Sequence, residues 1–149
     1  MKIYTHRTRI KATIEQVEEF HRDSRALSRL SPPLMFVRFN KVEPLGEASI
    51  VDFVMWLGPL PIHWVAVHSG VSPSGFTDTQ KVGPFKFWKH THHFVAIEEN
   101  LSEVVDEIYA ELGDHPFWGV VSRVMWINLP ILFAYRGWIT RRSLEGKLH

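Results

Sequence analysis

Between residues 34 and 112 the chain divides into six segments, 34 to 42, 49 to 57, 62 to 72, 75 to 82, 85 to 98 and 103 to 112, in which apolar and polar residues follow period two. Only short turn-forming stretches separate them: Pro44-Leu45-Gly46, Gly58-Pro59-Leu60-Pro61, Pro73-Ser74-Gly75, Gly83-Pro84 and Glu99-Asn100. Connections this short join antiparallel neighbours, so the six strands form a meander. A sheet of this kind must cover its apolar face. The cover available is the stretch from about Pro116 to Leu144, where Trp118, Val121, Met125, Leu129, Leu132, Phe133, Arg136 and Ile139 recur near helical spacing. The pattern predicts one long amphipathic helix with a possible kink at Pro130.

Ahead of the meander, residues 3 to 11 alternate and read as a first strand. Thr13 then stands three positions before Gln16, the spacing of a capping box, with Ile14, Val17 and Phe20 on one face of the helix it would start. A second short helix is predicted over 24 to 30, ended by Ser31-Pro32-Pro33. The expected fold is therefore α+β: a seven-stranded curved antiparallel sheet wrapped around a long C-terminal helix, with two short helices after the first strand. A sheet gripping one helix leaves a cavity between them, so the topology suggests a small-molecule container.

The 149 residues suit one domain spanning 1–149, able to bury roughly two thirds of its unfolded surface. A net charge of +1, with Lys and Arg interleaved among acids and hydrophobes, gives no basic stripe, and nucleic acid is not expected as a partner. The absence of Cys excludes disulfides, thiolate catalysis and Cys-ligated zinc. The charged start "MKIYTHRTRIKA" does not resemble a signal peptide, which leaves a cytoplasmic location as the expectation. Arg123 and Arg136 bracket twelve uncharged residues, short of the roughly 20 that a spanning helix needs. No integral membrane segment is expected. Peripheral membrane contact stays open, as does the choice between monomer and homodimer.

One stretch concentrates the polar chemistry: "GFTDTQKVGPFKFWKHTHHF", residues 75 to 94, followed by "VVDEIYAEL" and, in the terminal helix, "LFAYRGWITRRSLE". With the element order, these residues resemble the helix-grip SRPBCC group, which includes START lipid-transfer domains, birch-pollen-type allergens and polyketide cyclase/dehydratase-like proteins. The likeness is closest to the bacterial cyclase/dehydratase-like branch. Phe76, Asp78, Gln80, Gly83, Pro84, Phe85, Trp88, His90, His92, Phe94, Asp106, Ile108 and Tyr109 stand where that branch carries Phe-x-Asp-x-Gln, Gly-Pro-aromatic, Trp-x-His-x-His-x-Phe and Asp-x-Ile-x-Tyr. The resemblance implies a pocket for a hydrophobic or aromatic small molecule, without a shared catalytic set.

On a strand, Trp88, His90, His92 and Phe94 share one face, and Phe87, Lys89, Thr91 and His93 share the other. A change of face would remove Trp88 and both His from the site together. His90 and His92 lie about 6 to 7 Å apart along the strand, within reach of one ion if Asp78, Asp106 or His68 adds a ligand. Hydrogen bonding of the imidazoles to Asp78 or Asp106 is the commoner arrangement, and neither metal nor cofactor is expected. The leading expectation is binding of a lipid- or polyketide-like ligand, with Trp64, Phe76, Trp88, Phe94 and Trp126 as apolar wall and Gln80, His90, His92 and Tyr109 as polar contacts. His63 and His68 are further polar candidates. The rival is a cyclase- or dehydratase-like enzyme with His90, His92 and Asp106 as acid/base candidates. A non-catalytic interaction scaffold is the third reading.

Overall fold

The computed structural model describes residues 1–145. Its elements run β1 (Lys2–Ile10), α1 (Ile14–Arg22), α2 (Ala26–Arg29), β2 (Met35–Val42), β3 (Ile50–Leu57), β4 (Leu60–Ser72), β5 (Gly75–Val82), β6 (Phe87–Glu98), β7 (Leu101–Glu111), α3 (Trp118–Ile127) and α4 (Leu129–Glu145). The seven strands form one antiparallel sheet in the order β1-β7-β6-β5-β4-β3-β2. Strands β2 to β7 are a meander, as their short turns dictate. β1 closes the far edge against β7, so α1 and α2 must carry the chain from one edge of the sheet to the other.

Local chemistry accounts for the boundaries. Gln16 N–H donates to Thr13 Oγ1 at 3.2 Å and Thr13 N–H to Gln16 Oε1 at 2.9 Å, completing the capping box of α1. β4 begins at Leu60, two residues before the alternation suggested, because Leu57 pairs with Leu60 across a two-residue turn in which Gly58 has φ 56°. Pro61 is tolerated there because β5 pairs with β4 only as far as Val65, leaving Pro61 without a ladder partner on that side. β6 begins at Phe87 rather than at 85: the Gln80 side chain donates to Phe85 O at 2.7 Å and accepts from Phe85 N at 3.2 Å, holding the chain around Gly83-Pro84.

The terminal helix breaks beside Pro130, where the sequence placed a kink. It is two helices, α3 and α4, bent by 54° at Asn128. Pro130 lacks the N–H that would extend the ladder of α3. The Val124 carbonyl accepts twice from Asn128, from its backbone N–H at 3.2 Å and from Nδ2 at 2.7 Å. The bend lets both helices follow the concave sheet, and no single described helix is long and apolar enough to cross a membrane.

Two packed clusters divide the concave face. The larger joins Val51, Phe53, Met55, Trp64, Phe85, Trp88 and Ile108 to Leu129 and Phe133 of α4. The smaller gathers Ile10, Ala12, Val17, Phe94, Val104 and Leu144 at the α1 end.

Candidate functional site

The larger cluster surrounds a cavity of about 500 Å³ between the sheet and the α3–α4 pair. β3 and β4 give it an apolar wall that includes Phe53, Met55, Trp64 and Ala66, and β6 adds Trp88. α3 and α4 close the other side with Met125, Leu129, Leu132 and Phe133. Exposed apolar residues of its lining, Leu34 at 83%, Ile131 at 69% and Val124 at 50%, mark a mouth between the α2–β2 segment and the helix bend.

Polar groups converge at the opposite pole. The even-numbered residues of β6 point inward, with Trp88, His90 and Phe94 buried while Lys89 and His93 are exposed. Register places Asp78 across from His90 and Asp106 across from His92. The short bonds run diagonally: His90 Nε2 donates to Asp106 Oδ1 and His92 Nε2 to Asp78 Oδ2, each at 2.8 Å. The remaining ring nitrogens face the other carboxylates, His92 Nδ1 at 3.3 Å from Asp106 and His90 Nδ1 at 3.8 Å from Asp78. The rings lie 3.8 Å apart between centroids.

These contacts fix the charges. Burial alone would lower His92, but hydrogen bonds to Asp106 and Asp78, together with their charges, outweigh it and raise His92 to about 9. His90 is lowered, by burial first and by the charge of His92 second. Burial pushes both carboxyls up, yet the hydrogen bonds from the imidazoles prevail and hold Asp78 and Asp106 below the usual carboxylate range. One imidazolium thus sits between two carboxylates beside one neutral imidazole. Arg136, which also lines the cavity, is lowered by burial and supported by Asp106 and Asp78; its Nε is buried without a hydrogen-bond partner. With Arg136 included, the pole carries two positive and two negative charges.

Two more imidazoles border the cavity. His21 donates from Nδ1 to Val17 O at 2.8 Å, which leaves Nε2 as an acceptor, and burial above all lowers it to about 4. His68 shares a 2.9 Å hydrogen bond with Ser49 Oγ and is lowered chiefly by burial.

Of the residues singled out from sequence, Trp64, Phe76, Trp88, His90 and His92 line the cavity, together with Asp78 and His68. Asp106 lies behind the imidazoles and borders a smaller neighbouring void with His21, His92 and Arg136. Four expected contacts lie elsewhere. Gln80 is committed to the backbone of Phe85. Phe94 fills the second cluster. Tyr109 has the opposite parity on β7, beside Lys89 and Ile3 on the convex face, and Trp126 packs edge-on to Tyr4 at 6.4 Å. His63 also faces outward and bonds Asp52 at 2.8 Å. His21 and Arg136, which also border the void beside Asp106, are polar lining residues that sequence reasoning did not assign to the site, as are Asp23, Ser24 and Asn128. A signal existed for the first two: His21 is four residues after the buried Val17 of α1, and Arg136 falls among the apolar positions of the last helix.

The fold and this internal pole can be set beside known structures. A START superfamily protein from Mycobacterium smegmatis superposes with a TM-score of 0.68 over 97% of each chain, at 10% identity. The helix-grip fold is established. The Zhui aromatase/cyclase from Streptomyces sp. R1128 gives a TM-score of 0.68 at 14% identity over 95% of both chains. Ara h 8.0201 gives 0.61 at 10% identity over 93% of this chain and 97% of its own. These are members of the SRPBCC group, and the likeness is one of fold. No protein-family model matches the sequence, and no curated protein does.

Proposed function

We propose that the chain holds one small, largely apolar molecule between the sheet and the α3–α4 pair, with its polar end at the Asp78–His90–His92 pole. The supporting observation is the cavity itself: about 500 Å³ of space, within the range of small-molecule sites, apolar along its length and polar at one end. Each 100 Å² of apolar ligand surface removed from water contributes about 2.5 kcal/mol. The wall therefore supplies affinity. The pole supplies orientation, because a neutral ligand oxygen can accept from Arg136 Nε or donate to His21 Nε2. The aromatase/cyclase and START likenesses agree with a lipid- or polyketide-like ligand. Apolar residues around the mouth suit passage of such a molecule.

Native mass spectrometry of the purified full chain, compared with its denatured mass, tests this reading. A retained organic adduct of one equivalent is expected, reduced in Trp64→Ala. A chain that retains nothing and takes up no apolar probe would contradict it.

A second reading, acid/base conversion of the bound molecule, is favoured by one observation. His90 and His92 face the same cavity with different charges, so one is an acid and the other a base. Its mark would be a His92→Gln protein that still binds the retained compound but no longer alters it.

A further inference from the structure

Asp78, His90 and His92 all face the cavity, and Asp106 stands behind them. Each imidazole turns one nitrogen back to Asp106, His90 Nε2 at 2.8 Å and His92 Nδ1 at 3.3 Å. The other nitrogen of each is on the Asp78 side, His92 Nε2 at 2.8 Å and His90 Nδ1 at 3.8 Å from Oδ2. One ligand atom from each of the three residues lies within 4.8 Å of the others. An ion with bonds of about 2.0 to 2.2 Å holds its ligands about 3 to 3.4 Å apart. The cluster straddles that spacing.

We infer that Asp78, His90 and His92 form a site for one divalent transition-metal ion, with Asp106 positioning both imidazoles from behind. A carboxylate behind a ligating histidine fixes the ring and its tautomer, and here one carboxylate does so for two rings. Two imidazoles and one carboxylate suit ions of the Zn²⁺, Co²⁺ or Fe²⁺ kind; an all-oxygen set would suit Mg²⁺ or Ca²⁺. Three protein ligands leave at least one position open, and it faces the cavity. The ion takes the place of the Nε2 proton between His92 and Asp78, and that proton passes to solvent. Against two carboxylates, the ion and Arg136 leave one positive charge in excess. The open position therefore favours an anionic oxygen, hydroxide or a carboxylate or enolate of the bound molecule.

The outward His63–Asp52 pair shows what the inner cluster adds. It has the same 2.8 Å contact, on an exposed face, without belonging to a three-residue ligand cluster.

The test uses the full chain after dialysis against a chelator. Zn²⁺ alone is titrated calorimetrically, Co²⁺ alone by visible absorption, and the imidazole nitrogens are followed by NMR in the unaltered protein. One equivalent should bind, with ring signals of His90 and His92 moving and that of His63 unmoved. Asp106→Asn should weaken binding by about 10- to 100-fold. Asp78→Asn should weaken it further, and His63→Gln should leave it unchanged. Absence of saturable Zn²⁺ binding, or ring shifts confined to other histidines, overturns the site. Because the ring signals are read in the unaltered protein, that outcome does not depend on whether any variant folds. Loss of the metal with uptake of an apolar probe intact would remove this inference and leave the container.

Discussion

Acidification should destabilise the protein through one identifiable side chain, His21. It sits at the end of α1 with Nδ1 bonded to Val17 O, the ring 4.9 Å from Phe94, and the charges of His92, Asp106 and Arg136 around the adjoining void. Burial lowers it from 6.5 to about 4. Its folded pKa is below its unfolded one, so between these values the unfolded chain binds the extra proton. Stability therefore falls as pH drops through that window and levels off below it. At about 1.36 kcal/mol per pKa unit, the loss on going from pH 7 to pH 4 is on the order of 3 kcal/mol. Urea unfolding of the unaltered protein and of His21→Leu, measured at intervals across this range, isolates the effect. Groups distant from His21 titrate in both proteins and cancel in the difference. The stability of the unaltered protein relative to the variant should drop by about 3 kcal/mol as pH falls from 7 to 4. A difference that stays constant across that range would refute the reasoning.

Three further predictions concern how the site is held. Gly75 has φ 145°, and a Cβ there would overlap the His92 carbonyl oxygen, so Gly75→Ala should lower the melting temperature, cost about 1 to 3 kcal/mol in backbone strain and disturb the pole. Thermal unfolding and the His92 ring signal read both effects. Gln80→Ala should cost about 1 to 2 kcal/mol through its two bonds to Phe85 in a denaturant titration, while ligand uptake is unchanged. Thr13→Ala should cost about 1 kcal/mol by loss of the α1 cap, again measured in urea.

What was legible from sequence follows from periodicity. Period two gives the strands and their alternate faces, so Trp88, His90 and His92 could be grouped from their spacing alone. Periodicity says nothing about how deep a side chain lies across a curved sheet. Phe94 shares the face of His92 but packs beside His21 of α1 in the second cluster and does not line the cavity. Tyr109 lies beside Ile108, and one residue of register separates the buried Ile108 from the convex surface. Gln80 was lost to a local turn, whose backbone donors and acceptors sit closer to it than any ligand. His21 and Arg136 enter the site from helices whose angles depend on the Asn128–Pro130 break and on the α1–α2 crossing, and neither angle is written in a spacing. The diagonal His–Asp bonding likewise needed the β5–β6–β7 register.

The central claim is that the internal cavity takes up an apolar molecule, and N-phenyl-1-naphthylamine titrated into the protein by fluorescence tests it most directly. The unaltered protein should bind the probe saturably at one site, and so should Val95→Thr on the convex face, where Val95 is 45% exposed. Ala66→Phe, which places a ring in the cavity beside Trp64 and His68, should abolish uptake while the protein remains folded. Equal binding by a folded Ala66→Phe protein would contradict the account.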